Sequence, residues 1–373
     1  MKKYLMQGML TLFVSILLMT SCKKEQSKDS QLQQPTEETM LAEAQQLVNE
    51  KLAAVANFEK EYGTIMEESV AARTNKNVLQ VLQHPSIFKT FLAAVAKTDL
   101  TSTLSASTLH ATVFAPTDFA FSKLPAPFNN AANIAGITDP DSIYALRNMI
   151  LYHLLGTEKL RQQFVLGRSS AITLKPEEGQ NDNLVYTSNS FGLLLLNGKS
   201  LVLCSNLKAS NAVIHVVDDV LLPPAETIAQ VLMTYPEYSS LFAALIQTGL
   251  FGAFTGPGNF TLFAPTNTAF AKLPAPFNNA AGIEAITDSA QLAALANILQ
   301  YHISESRYFA WDLGHYKAIA TMAPAPKNSI TGIMGLNKGW VRGNRNAFFA
   351  KIAPANIFTC NGVMHVIEQV LKQ

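Results

Sequence analysis

Residues 112–139 read TVFAPTDFAFSKLPAPFNNAANIAGITD, and residues 261–288 read TLFAPTNTAFAKLPAPFNNAAGIEAITD, with 21 of the 28 aligned positions identical at a constant offset of 149. The chain is therefore a tandem duplication. The offset persists where Leu151-Tyr152-His153 matches Gln300-Tyr301-His302, and it slips by one residue at the closing segments NAVIHVVDDVLL (211–222) and NGVMHVIEQVL (361–371). A period of this length is that of a domain, since solenoid repeats run to only a few tens of residues.

Local chemistry sets the same elements in each copy. Thr112–Ala115 and Thr261–Ala264 are β-branched and aromatic runs of strand character, ended by Pro116 and Pro265, which lack the amide that a central ladder needs. A helix is predicted after each. Thr117-Asp118 and Thr266-Asn267 supply capping oxygens, and Phe121/Leu124 and Phe270/Leu273 present apolar surface at i, i+3. Asp118 is replaced by Asn267 in the second copy, which keeps the capping oxygen and discards the charge, so the residue reads as a cap and not as an acid or base. Upstream, Phe88, Phe91, Leu92 and Val95 define a helix from about Ser86 to Lys97, repeated by Tyr238, Leu241, Phe242 and Leu245. Downstream, alternating runs such as Asn183–Tyr186, Leu193–Leu196 and Leu201–Leu203 read as strands separated by turns.

The T-[VL]-F-A-P-T-[DN]-x-A-F segment, the Tyr-His pair on a following helix and the closing N-[AG]-V-[IM]-H-V-[VI]-[DE]-x-V-L segment occur in that order in both copies. Together they resemble the fasciclin domain family, over residues 75–224 and 225–373. The resemblance implies an α+β fold of two tandem fasciclin-like domains, each an antiparallel β-sandwich or wedge with helices packed at one side. In animal members of that family the Tyr-His segment is associated with receptor adhesion. Carried over residue by residue, this makes Tyr152, His153, Tyr301 and His302 the candidate partner-contact residues; the competing reading is that both side chains fasten a packed helix to the sandwich.

Residues 1–21 have the pattern of a signal peptide: Lys2 and Lys3, a mostly apolar run from Met9 to Met19 too short to span a bilayer, and small residues before Cys22. A cysteine at that point resembles a bacterial lipoprotein signal, in which Cys22 is acylated and becomes the mature N-terminus. The expected location is the cell envelope, with a membrane attachment at the outer membrane, periplasmic or surface-facing. Residues 22–40 have the polar composition of a solvated tether. From there to residue 74, Leu41, Ala44, Val48, Leu52, Val55, Phe58 and Tyr62 recur at helical spacing. This amphipathic arm is expected to pack on the first domain or, failing that, on a partner helix, with Gly63 as a point of interruption.

Composition narrows the function. The 373 residues are 48% hydrophobic and 15% charged with a net charge of +1, which removal of residues 1–21 turns to −1, so nothing suggests a nucleic-acid partner. Neither copy has a Cys pair, a His-x-x-x-His helix, a nucleophile elbow or a phosphate-binding loop, and no catalytic, metal or cofactor residue is assigned. His215 and His365 lie among apolar neighbours and read as buried, hydrogen-bonded core histidines. Cys204 and Cys360 are not equivalent positions and read as small buried residues, with a disulfide between the two copies as the alternative. Asn129-Asn130 and Asn278-Asn279 form a repeated polar segment, either a turn or a glycan contact. The function expected is adhesion or interaction with a protein or polysaccharide ligand. The alternatives are a glycan-processing enzyme, which would need a paired-carboxylate cleft, and a structural spacer.

Overall fold

The computed structural model describes residues 35–71, 75–84, 86–326, 328–336 and 338–373. The expected signal peptide, Cys22 and most of the expected tether lie outside the described residues. The chain divides into two compact units. The first contains Val48–Glu178 and Asp182–Pro223; the second contains Pro224–Gln373, Gly179–Asn181 and the described residues before Val48.

An N-terminal helix, α1 (Glu37–Ala71), runs without a break through Gly63. The expected interruption is absent because one glycine costs a helix only about 1 kcal/mol. Met40, Ala44 and Val48 form a buried stripe at i, i+4, i+8, and farther along Phe58 and Tyr62 pack against the core of the first unit. Glu37–Leu47 is grouped with the second unit and not with the first, which corrects the expectation that the whole arm packs on the first domain. Part of the reason is electrostatic. Within the second unit Arg342 Nη1 lies 2.6 Å from Glu37 Oε1, the Tyr316 hydroxyl donates to Glu37 Oε2 at 2.9 Å, and Lys338 Nζ lies 2.6 Å from Glu43 Oε2.

The first unit continues with α2 (Val78–Leu82), α3 (Lys89–Lys97), α4 (Thr101–Ser105), β1 (Ala111–Pro116), α5 (Asp118–Ser122), α6 (Ala131–Ala135) and α7 (Pro140–Tyr152). Its strands follow as β2 (Leu154–Leu155), β3 (Gly167–Ile172), β4 (Leu184–Ser190), β5 (Leu193–Leu196), β6 (Ser200–Lys208) and β7 (Ala212–Val217). The sheet order is β2-β1-β7-β6-β5-β4-β3. The second unit repeats the plan with α8 (Ile228–Thr234), α9 (Ser239–Gln247), β8 (Phe260–Pro265), α10 (Asn267–Phe270), α11 (Ala280–Glu284), α12 (Ser289–Gln300) and β9 (Ile303–Ser304). It closes with β10 (His315–Ala320), β11 (Ser329–Ile333), β12 (Gly339–Arg342), β13 (Ala350–Ile352), β14 (Ile357–Thr359) and β15 (Gly362–Ile367), ordered β10-β11-β12-β13-β15-β8-β9 with β14 also on β15.

One pairing departs from the expected antiparallel arrangement. The opening and closing strands of each copy run parallel, Phe114 opposite His215 and Phe263 opposite His365. A parallel pair needs a long crossover, and the helices and remaining strands of each copy form that connection. Both faces of this central pair are covered, so β1 and β7 are buried at every position. Val113, Ala115, Ile214 and Val216 point into the core shared with the helices, while Phe114 and Val217 point into a second core with Tyr152, Phe164 and Leu196. The period of two along each strand thus feeds two cores at once.

Candidate functional site

The repeated Tyr-His pair was the first candidate, and its place is inside. Tyr152, His153, Tyr301 and His302 are all at most 1% exposed. The Tyr152 hydroxyl donates to the Leu184 carbonyl at 2.5 Å and accepts from Asn197 Nδ2 at 3.1 Å; the Tyr301 hydroxyl donates to the Ser329 carbonyl at 2.7 Å and accepts from the Asn344 amide at 3.0 Å. His153 ends α7, where its Nδ1 donates to the Met149 carbonyl (2.8 Å) and its Nε2 accepts from the Leu221 amide (2.9 Å). His302 does the same with Ile298 (2.7 Å) and Leu371 (2.8 Å). These four residues are corrected from partner-contact candidates to fasteners. The apolar residues that flank them turn this end of the helix toward the core, which takes both rings with it.

His215 and His365 belong to the same interior with the roles of the ring nitrogens exchanged. Nε2 of His215 donates to the Lys159 carbonyl at 2.9 Å while Nδ1 accepts from the Asn206 amide at 3.4 Å; His365 pairs likewise with Tyr308 (2.7 Å) and Asn356 (3.3 Å). Asn206 and Asn356 adopt positive φ of 63° and 59°, a left-handed conformation that asparagine tolerates better than other non-glycine residues. Phe114 and Phe164 flank the His215 ring, and Phe263 stacks on His365 at 5.5 Å. Burial lowers the pKa of all four histidines to about 4. Each imidazole is therefore neutral at pH 7 with its one lone pair already used, which leaves nothing for a proton in transit or a metal.

The other repeated polar residues are also used internally. Thr117 caps α5 through the Ala120 amide at 3.1 Å. Asp118 instead accepts from the Thr90 amide at 2.7 Å and so caps α3, a helix 28 residues earlier, and Asn267 does the same for Ser240 at 2.9 Å. Asn130 and Asn279 cap α6 and α11, which resolves the repeated polar segment as helix-starting chemistry. Asn211 and Asn361, wholly buried, each accept an amide (Val78, Ile228) through Oδ1 and donate from Nδ2 to two carbonyls (Leu104 and Ala106; Phe254 and Gly256). Cys204 and Cys360 are not disulfide-bonded, Cys204 half-buried and Cys360 buried.

Some of the differences between the copies lie on their surfaces. In the first unit Val165 and Leu166, just before the edge strand β3, and Ile172, at its end, are exposed. In the second, a groove of about 690 Å³ is lined by Lys272, Lys338, Trp340, Phe349, Lys351 and Lys372 among others, with Glu43 and Glu368 as its acids. Lys338 sits 5.8 Å from the Trp340 ring centre and Arg342 sits 4.4 Å from that of Phe349. The sequence hid this groove because its walls come from five separate stretches, of which only the one around Lys272 lies in the repeated segment 261–288. The available signal was the departure from the twin: Gln369 where the first copy has Asp219, Lys372 where it has Leu222, and GNRNAFF (343–349) between two strands that NGK (197–199) joins in the first copy.

The family model for the fasciclin domain matches residues 86–223 and 236–373. The chain is 29% identical over 203 residues to transforming growth factor-beta-induced protein ig-h3 of Sus scrofa, covering 54% of this chain and 28% of that protein. It is 31% identical over 114 residues to immunogenic protein MPB70 of Mycobacterium bovis, covering 31% of this chain and 50% of that one. The chain thus spans at most half the length of either relative. Among solved structures, a FAS1 domain pair from the insect cell adhesion molecule fasciclin I matches with 17% identity and a TM-score of 0.34, over 75% of this chain and 92% of that one. With two family matches that together take in most of its length, each containing one copy of the repeat, the chain belongs to the fasciclin domain family.

Proposed function

We propose that this protein is a lipid-anchored adhesion or interaction protein of the cell envelope, holding two fasciclin domains out for protein or polysaccharide ligands. The observation that carries this reading is the division of labour between core and surface. The repeated polar side chains, from the four histidines to Asn211 and Asn361, are consumed in holding the fold. The exposed faces differ between the copies, with Val165, Leu166 and Ile172 exposed in one and the lysine-lined groove in the other. A duplicated scaffold of that kind supplies two contact surfaces at the cost of one fold, and function resides in such grafted surfaces. If each copy binds weakly to a repetitive polymer, display of the pair on one chain raises avidity without new contacts.

The test is retention of the full chain on immobilised polysaccharides and matrix proteins, with glycan and ester substrates assayed in parallel. Retention on at least one polymer without product release is expected. Turnover of any substrate would move the protein to the enzyme class, and retention on none would leave a spacer.

A further inference from the structure

We propose that the groove of the second unit is a binding site for an anionic polysaccharide, whose carboxylate or sulfate groups would sit against Lys272, Lys338, Lys351 and Lys372. This deepens the adhesion reading and rests on it. The groove has the volume of a ligand site, and its four lysines are exposed. Among the described residues only one of the four is paired with an acid. Glu43 is engaged by Lys338 at 2.6 Å, and Lys272 Nζ rests on the backbone carbonyl of Glu368 at 2.9 Å. Among the described residues no carboxylate lies within ion-pair distance of Lys351 or Lys372.

The twin shows that this charge is not a requirement of the fold. In the first unit the same corner holds Asp219, paired with Lys123 at 3.0 Å and Lys199 at 3.6 Å, and it ends in Leu222. The second unit has Gln369 and Lys372 at those two positions, and each replacement makes the corner more positive. The floor diverges with the rim. Strand β5 is four leucines, with Leu195 opposite Leu201, whereas β12 places Trp340 opposite Lys351.

The chemistry favours a glycan over other polyanions. Trp340 and Phe349 are buried and give a firm apolar floor without the exposed ring faces on which nucleic-acid bases stack. Lysines around an open groove act as separate point charges, suited to anionic groups repeated along a chain. Bidentate capture of one phosphate is the work of arginine forks. The tether that leads into Pro35 fits poorly as an internal occupant, because residues 23–34 carry three lysines against two acids.

The experiment titrates the full chain with polygalacturonate, heparin and neutral dextran at about 20 and 200 mM salt, where counterion release and screening separate charge from shape. Binding to one or both anionic polymers, weakened by salt and absent with dextran, is expected. Polygalacturonate against heparin distinguishes carboxylate from sulfate. The double variant Lys351→Glu/Lys372→Glu should lower affinity at least tenfold with an unchanged melting temperature, Lys351→Arg should retain it, and Lys208→Glu on the first unit should not matter. Equal binding of dextran, or full affinity in the double variant, overturns the proposal. If the wild-type chain binds neither anionic polymer but is retained on a neutral glycan or a protein, the groove assignment falls and the adhesion reading stands; retention on nothing removes both.

Discussion

Each buried imidazole in this protein makes two hydrogen bonds to backbone groups, and that dictates how stability depends on pH. A histidine in the unfolded chain titrates near 6.5, while all four buried ones titrate near 4. Between those values the unfolded state binds more protons than the native state, so stability is complete above about pH 7 and is lost as pH falls through 6 and 5. The slope approaches about 1.4 kcal/mol per pH unit for each histidine. Melting temperature is expected to drop between pH 7 and pH 5. The His365→Gln variant, less stable at pH 7 because the Asn356 amide and Tyr308 carbonyl lose their partner at a cost of about 1–3 kcal/mol, should show a shallower drop. Equal slopes for variant and wild type would contradict the assignment. The sequence exposed the burial of His215 and His365 through their apolar neighbours. It could not fix the ring nitrogens, because their partners, Lys159 and Tyr308, lie 56 and 57 residues away.

Helix starts illustrate what periodicity and capping rules capture and what they miss. The sequence marks Thr117 and Thr266 as caps, and their oxygens accept from the third residue on. It also reads Asp118 as a cap by its exchange for Asn267, which is right in kind. The helix it caps is α3 and not its own, a contact that only the closed fold creates. Asp118→Asn should therefore be nearly neutral, since the twin already uses that amide oxygen, whereas Asp118→Ala should cost about 0.5–2 kcal/mol, read as a lowered denaturation midpoint. An alanine variant as stable as wild type would refute the capping role. The parallel pairing of β1 with β7 was missed for a similar reason: a strand buried on both faces has the same composition whichever way its neighbour runs. Gly63 shows the opposite failure, a local breaker overridden by the long amphipathic helix around it.

At the scale of the molecule, duplication was legible at once, because the repeated segment carries the residues that close each fold. The groove of the second unit was not, because most of its walls come from stretches where the copies differ. The proposed attachment at Cys22 belongs to this scale too. Two acyl chains hold a protein on a bilayer where one does not, so the wild-type chain should stay in the membrane fraction after alkaline washing and Cys22→Ser should be released; a variant that remains bound would remove the anchor. One feature of the sheet bears on biogenesis. The closing strand of each unit lies next to the opening one, with β7 between β1 and β6, and β15 between β8 and β13. A nascent chain therefore lacks an interior member of each sheet until nearly the whole unit has been made, and a product truncated before Gly362 would leave the flank of β8 unpaired, an open edge of the sort that recruits other chains. Premature termination a dozen residues from the end is thus expected to yield aggregates or degradation products in place of a slightly shortened protein.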